Sequence, residues 1–238
     1  MTDPKGAAIA APAGTGRWED YIDVIVSPVE LFRRRAADRV GPPLITLLVL
    51  AVIFYFVMLP ANGMVMRAAT AANPDAAGAI ERFGILFQVL GSILIPITYL
   101  FVIAVAALLI LGVGRMADVQ TTLSRTMLIA TYAAFIYLVA QIAGGVSVLI
   151  HGEVGLDVIR HTSFGALRFV GDAEMNPVTM ALLRRLDVFA IWQAVLWGIG
   201  VAVVFGASRA RAAAIAGVTW LLAALPGIAG AAIGIGAA

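Results

Sequence analysis

Two histidines are the side chains best suited to metal or proton chemistry in this chain, and they lie ten positions apart at His151 and His161. Neither belongs to an H-E-x-x-H pattern, and the chain contains no cysteine that could complete a zinc site. Glu153 and Asp157 lie nearby and leave a metal or proton site as the lesser alternative. No nucleophile elbow, phosphate loop or paired-carboxylate motif falls within an apolar segment. We therefore expect no catalytic residue, no cofactor, no bound metal and no enzymatic activity.

Polar side chains within apolar segments are a second group of candidates, because an amide or hydroxyl group in hydrocarbon needs a partner. Two such groups recur at helical spacing and form polar stripes: Gln88, Ser92, Pro96 and Tyr99 in one segment, and Tyr137, Gln141 and Gly144 in another. Hydrogen bonding between packed helices, with Gln88 and Gln141 as partners, is the simpler interpretation, and a substrate path is the alternative. Asp187 follows Arg184 and Arg185, so an interfacial ion pair is expected there in preference to an ion-coupling site.

Composition indicates the class of protein that positions these side chains. Of the 238 residues, 62% are hydrophobic and only 13% are charged, and the mean hydropathy is +0.99. A soluble domain of this size could not bury so much apolar surface. The 16 basic and 14 acidic residues nearly balance, which excludes a nucleic-acid-binding protein. The expected fold class is therefore an all-α integral membrane protein.

A bundle of five transmembrane helices is predicted over residues 42–238, because about 20 apolar residues cross the hydrocarbon layer. The predicted spans are 44–59, 83–111, 126–150, 187–206 and 212–235. Pro60 is expected to close or bend the first span. The Asn-Pro pair at 73–74 predicts a helix that begins well before the second span. A similar pair at 176–177 predicts a helix that continues without a break into the fourth span.

The N-terminal region is predicted to contain a disordered tail, residues 1–16, followed by cytoplasmic amphipathic helices within 17–41. The tail consists of small and polar residues interrupted by proline and glycine. The first helix places Trp18, Tyr21 and Ile25 at helical spacing, with acidic residues between them. This pattern is typical of a short helix with one apolar face.

The second N-terminal helix is expected to lie on the membrane surface. Ser27, Pro28 and Glu30 have the spacing of a capping box with proline at the first helical position. Phe32 is predicted to enter the acyl boundary, while a basic cluster faces anionic headgroups. The cluster consists of Arg33, Arg34, Arg35 and Arg39.

Small residues recur every four positions in the last two predicted spans. They are Gly198, Ala202 and Gly206 in the fourth span, and Gly230 and Gly234 in the fifth. Because small residues at this spacing let helix backbones approach closely, we predict helix-packing faces, either within one subunit or between subunits.

Two segments together resemble the Yip (Ypt-interacting protein) membrane protein family. YIDVIVSPVELF, residues 21–32, is similar to the S-P-x-x-x-F pattern that precedes the family's first span. LDVFAIWQAVLWGIG, residues 186–200, is similar to the aspartate, aromatic and tryptophan run of its fourth span. The matching positions are Ser27, Pro28, Glu30, Phe32, Asp187, Phe189, Trp192, Gly198 and Gly200. The resemblance implies a five-helix membrane domain with a cytosolic N-terminal segment and no catalytic activity.

The resemblance also bears on function and partners. Eukaryotic relatives bind prenylated Rab-type GTPases, but the short tail of this chain argues against such a partner. Fifteen arginines, a single lysine and abundant alanine indicate a bacterial member in the cytoplasmic (inner) membrane. We expect a membrane organiser or adaptor that binds an anionic bilayer and a membrane protein or a second copy of itself. A small-solute or ion transporter or channel is the alternative.

The first prediction concerns topology. Ten of the 16 basic residues fall on the side of the N-terminal segment, so the N-terminus should be cytoplasmic and, with five spans, the C-terminus outside. A topology reporter fused after Ala238 should therefore be active only outside the cytoplasm. Cytoplasmic activity of that fusion would show that the span count or the orientation is wrong.

Overall fold

The computed structural model describes residues 18–72, 74–152, 163–170 and 176–233. This part of the chain is helical, as predicted. Its elements in chain order are α1 (Glu19–Val26), α2 (Pro28–Arg35), α3 (Gly41–Val57), α4 (Leu59–Ala72), α5 (Pro74–Met116), α6 (Leu123–His151), a 3₁₀-helix (Ala166–Phe169), α7 (Pro177–Arg185), α8 (Val188–Phe205) and α9 (Arg209–Ala232). Among these residues, extended backbone pairs only in an isolated bridge between Gly165 and Asp187.

Four of the described helices are long and apolar enough to cross a membrane: Gln88–Met116 within α5, and the whole of α6, α8 and α9. Helix α3 and residues Leu59–Arg67 of α4 meet the same criterion as a pair bent by 57°. The described residues thus provide four spans, or five if the bent pair crosses as one. The predicted number of five holds only in the second case.

Proline positions explain where two of these helices begin. Pro60 is the second residue of α4, where its missing N–H removes no helical hydrogen bond, so the bend follows the end of α3 at Val57. The prediction that Pro60 closes or bends the first span is confirmed. Helix α5 begins at Pro74 and runs for 43 residues, so the early start predicted for the second span is also confirmed.

The prediction of one continuous helix into the fourth span is wrong. Asn176 caps α7 by accepting a hydrogen bond from Val178 N at 2.8 Å, as an Asn-Pro start requires, but α7 ends at Arg185. A new helix begins at Val188, because Asp187 adopts an extended conformation and caps α8. The fourth span therefore has its own N-terminus.

Helix α6 lies at the centre of the bundle and contacts α1, α3, α4, α5 and α8. Residues 128–136 of α6 are buried without interruption. Helix α9 packs against α8, α5 and α7, while α2 packs against α8. The N-terminal segment is thus an integrated part of the helical assembly.

Glycines allow α8 to approach both of its main neighbours. A Cβ atom at Gly198 would lie 3.4 Å from Ala216 Cβ, so the small-residue face of α8 lies against α9 within this chain. A Cβ atom at Gly200 would lie 2.6 Å from Ile129 Cγ2 of α6. Close packing on two sides therefore depends on the absence of side chains at these positions.

Gly206 does not pack as predicted. It has φ of +65° and ends α8 in the left-handed conformation, with open space where a Cβ would project. Its role is that of a helix C-cap. Ala202 lies in α8 and Gly230 in α9, whereas Gly234 lies outside the described residues.

Replacing Gly200 by alanine should destabilise the protein by about 1 to 3 kcal/mol, because the added methyl group overlaps the buried Ile129 side chain. Thermal unfolding in detergent micelles would measure the loss. Gly217→Ala is the matched control, since its Cβ would meet no atom within 4 Å and the helix should gain up to about 1 kcal/mol. If the overlap is the cause, Ile129→Ala combined with Gly200→Ala should cost less than the sum of the two single changes.

Candidate functional site

The candidate site is the N-terminal hairpin, which consists of α1, Ser27 and α2. Val24 of α1 and Leu31 and Phe32 of α2 have no exposed surface. The rings of Phe32 and Tyr132 meet edge to face with their centroids 6.1 Å apart. The hairpin is therefore fixed against α6 and α8 by a shared apolar core.

The turn of the hairpin differs from the predicted capping box. Ser27 precedes α2 and Pro28 occupies the first turn, but the Ser27 side chain makes no capping hydrogen bond. Glu30 instead accepts a hydrogen bond from Arg33 Nη1 at 2.6 Å on the exposed surface. The helix start was predicted correctly and the capping interaction was not.

A buried carboxylate, Asp20, joins the two helices of the hairpin to the bundle. Asp20 is 2% exposed, and its Oδ2 accepts hydrogen bonds from Arg35 Nε at 2.9 Å and Tyr132 Oη at 3.4 Å. Its Oδ1 accepts from Arg34 Nη2 at 3.2 Å. Arg34 also pairs with Asp23. The negative charge of Asp20 is thus matched by two arginines from α2 and a hydroxyl group from α6.

The charges of these two arginines are stabilised by their partners. The hydrogen bond to Asp23 raises the pKa of Arg34 above its ordinary value. Burial alone would lower the pKa of Arg35, but the hydrogen bond and charge of Asp20 raise it. A raised pKa of a cation adds stability below its ordinary pKa, so this contribution is constant across physiological pH.

The predicted membrane-surface arginines fall into two groups. Arg34 and Arg35 form ion pairs with the aspartates of α1. Arg35 Nη1 also donates to Asp38 Oδ2 at 3.2 Å. Arg33 and Arg39 are exposed. The prediction that Phe32 enters the acyl boundary is wrong, because its side chain is completely buried against the protein.

An exposed apolar ridge runs along the hairpin instead. It is formed by Trp18, Ile22, Ile25, Val26 and Val29, of which Trp18 is 74%, Val26 66% and Ile22 64% exposed. Tyr21, predicted to share this face, packs inward with its ring centroid 4.7 Å from that of Phe135. The sequence pattern therefore identified an amphipathic helix but only part of its exposed face.

The two polar stripes meet through tyrosines and not through glutamines. The Tyr99 and Tyr137 ring centroids are 5.5 Å apart. Gln88 and Gln141 are both exposed, and no hydrogen bond joins their side chains in the described part of the chain. Ser92 Oγ donates to Val89 O of its own helix at 2.7 Å. The predicted Gln88 and Gln141 pair is therefore wrong.

Asp187 is a capping residue and not the predicted ion-pair partner. Its Oδ1 accepts a hydrogen bond from Phe189 N at 2.9 Å, and its Oδ2 accepts one from Phe164 N at 2.8 Å. None of the ion pairs between described residues includes Asp187. Two backbone N–H groups satisfy its charge and hold the segment around Phe164 against the start of α8.

The described part of the chain contains no metal centre built on a histidine. His151 Nδ1 lies 2.7 Å from Ser147 O, one turn earlier in α6. His161, Glu153 and Asp157 lie outside the described residues. Among the residues that the structure describes, no three histidine or acidic side chains form a group that could hold a metal ion.

Comparison with known families agrees with this helical architecture. Residues 22–231 match the Yip1 domain. The chain belongs to the Yip1 domain family. No curated protein and no solved structure matches the chain significantly. Together with its apolar helices, the match identifies a multi-pass membrane protein of Yip type.

The two segments that resemble the family lie in contact in this Yip1-domain protein, because α2 packs against α8. Pro28 and Phe32 are buried on the α2 side, and Gly200 is buried on the α8 side. Trp192 packs against the core, and its indole N–H has no hydrogen-bond partner in the described part. The contact between α2 and α8 therefore brings the two family segments together.

Replacing Asp20 by asparagine should destabilise this Yip1-domain protein by about 3 kcal/mol, because two largely buried arginines lose a charged partner. Thermal unfolding in nanodiscs would measure the change. Glu30→Gln is the control, since its pair with Arg33 is exposed and should be worth at most about 1 kcal/mol. Equal effects of the two changes would show that the Asp20 cluster does not hold the hairpin.

Proposed function

We propose that this Yip-type protein is a non-enzymatic membrane organiser or adaptor, and that its N-terminal hairpin is the surface through which it contacts the bilayer. The protein would act in a bacterial cytoplasmic membrane with the hairpin on the cytoplasmic side. Its partners would be anionic lipids and either a membrane protein or a second copy of the chain.

The observation that carries this proposal is the exposed apolar ridge on a hairpin that cannot move away from the bundle. Asp20 and the buried face of α2 hold the hairpin, so Trp18, Ile22 and Val26 are presented in a defined direction. Large apolar side chains concentrated on one exposed face are typical of an interaction surface. Helix α3 begins at Gly41, a few residues after α2 ends, which keeps the ridge close to the membrane.

The distribution of charge supports a lipid surface as the occupant. Arg39 and Arg33 are exposed beside the inward-facing cluster and would lie near phosphate groups, although the charge of Arg33 is partly matched by its pair with Glu30. Each basic residue near an anionic surface contributes about 1 kcal/mol. Apolar insertion and headgroup attraction would therefore act together on one rigid element.

One observation favours the alternative of a small-solute or ion transporter. Gln141 lines a cavity of about 700 Å³ between α3, α4 and α6. Asp187 lines a second cavity of about 520 Å³, but its carboxylate is already bonded to two backbone N–H groups. Gln88 is not among the residues that line either cavity. A transport pathway through the first cavity would therefore use Gln141 without Gln88 or Asp187.

The ridge can be tested in the full-length protein because the chain has no cysteine. An environment-sensitive fluorophore attached to the cysteine of Ile22→Cys should lie at the boundary between headgroups and acyl chains of anionic nanodiscs, at a depth of about 5 to 10 Å. Lipids that bear a spin label near the headgroup should then quench its fluorescence strongly. Gln120→Cys is the control, because Gln120 is exposed in the polar connection between α5 and α6, and its label should stay in water with little quenching.

Two outcomes would contradict the proposed function. Equal quenching at positions 22 and 120 would show that the ridge does not enter the bilayer. A solute or ion flux in proteoliposomes that Gln141→Leu abolishes, at unchanged thermal stability, would establish the transporter alternative.

A further inference from the structure

A cavity of about 520 Å³ lies between four helices of the bundle, away from the N-terminal hairpin. Its walls come from α5, α6, α8 and α9, and its volume lies within the range of small-molecule sites. Arg184, which is exposed, and Arg185, which is half-buried, are the last two residues of α7 and lie at one end. Towards the middle of the bundle the lining is apolar, with Val105, Ala106 and Trp197.

Among the described residues, no acidic side chain forms an ion pair with the arginines at the charged end of this cavity. No carboxylate among the described residues pairs with Arg184 or Arg185, and the nearest acid in sequence, Asp187, is occupied by two backbone N–H groups. Burial lowers the pKa of the Arg185 guanidinium, although it remains a cation at physiological pH. A partly buried cation without a partner is costly, so an anion placed there would be stabilised.

The side chains that line the cavity change from polar to apolar along α8. Gln193 lines the cavity about 9 Å beyond Asp187, and its Nε2 donates to Ala133 O at the long distance of 3.5 Å. Trp197, 3% exposed, lies about 15 Å beyond Asp187 among apolar residues. The cavity thus presents the two arginines, then the capped carboxylate of Asp187, then an amide with spare hydrogen-bonding capacity, and then an apolar region.

We propose that this cavity binds one anionic phospholipid. The phosphate would lie between Arg184 and Arg185, an ester carbonyl would face the Gln193 amide, and an acyl chain would occupy the apolar region beside Trp197. Guanidinium groups bind phosphate oxygens through paired, charge-assisted hydrogen bonds. Free phosphate would leave the apolar walls empty, and a zwitterionic lipid would gain less from the arginines.

Native mass spectrometry of the full-length protein in detergent would test the assignment with four probes. These are phosphatidylglycerol, phosphatidylcholine of the same chain length, glycerophosphoglycerol and inorganic phosphate. Phosphatidylglycerol should be retained about tenfold more than phosphatidylcholine, and the two probes without acyl chains should neither bind nor compete. Competition by inorganic phosphate at equal concentration would overturn the lipid assignment in favour of a simple anion site.

Two variants test the two ends of the cavity. Arg184→Gln with Arg185→Gln should remove the preference for phosphatidylglycerol, while Arg209→Gln with Arg211→Gln, an exposed arginine pair at the start of α9, should retain it. Ala190→Phe should fill part of the cavity and reduce retention of both lipids at unchanged unfolding temperature. An undiminished preference after loss of Arg184 and Arg185 would show nonspecific adsorption and reject the proposal, whatever the result for Ala190.

Discussion

The position of the N-terminal hairpin depends on the burial of one carboxylate. Removing a carboxylate from water costs several kcal/mol unless it is paired and hydrogen-bonded. Asp20 is 2% exposed, so α1 can lie against α6 only when Arg34 and Arg35 of α2 accompany it. The two helices must therefore dock as a unit, and Tyr132 supplies a hydrogen bond from the bundle to the same carboxylate.

The exposed ridge follows from that constraint through helix geometry. With 3.6 residues per turn, positions 18, 22 and 25 lie on the face of α1 opposite Asp20. Turning Asp20 inward consequently turns Trp18, Ile22 and Ile25 outward, where they are exposed. In a soluble protein such a surface would favour aggregation. Next to an apolar span it would serve as the proposed membrane contact, and this connects an electrostatic requirement to the proposed function.

Features that depend on local sequence were predictable, and those that depend on distant partners were not. Pro60 and Pro74 act within one helical turn, so their effects on α4 and α5 were foreseen. The second hydrogen bond of Asp187, in contrast, comes from Phe164 N, which lies 23 residues earlier. Gln88 and Gln141 lie on polar stripes with helical spacing, but this spacing alone does not determine which side of a helix faces its neighbour. For the hairpin, the acidic residues of α1 beside the arginines of α2 were an available signal of pairing that the lipid-surface interpretation overlooked.

The two clusters of ionisable residues satisfy their charges in different ways, and this difference determines what each can bind. In the hairpin, Asp20 and Asp23 are matched by Arg34 and Arg35, so that cluster needs no external charge. At the start of α8, the backbone takes both oxygens of Asp187 and leaves the adjacent arginine pair, residues 184–185, without an acidic partner among the described residues. Among the described residues, backbone capping thus occupies the acid that is nearest in sequence to the arginines. The first cluster can hold the fold together, whereas the second retains a positive charge that only an anion from outside the described residues can balance.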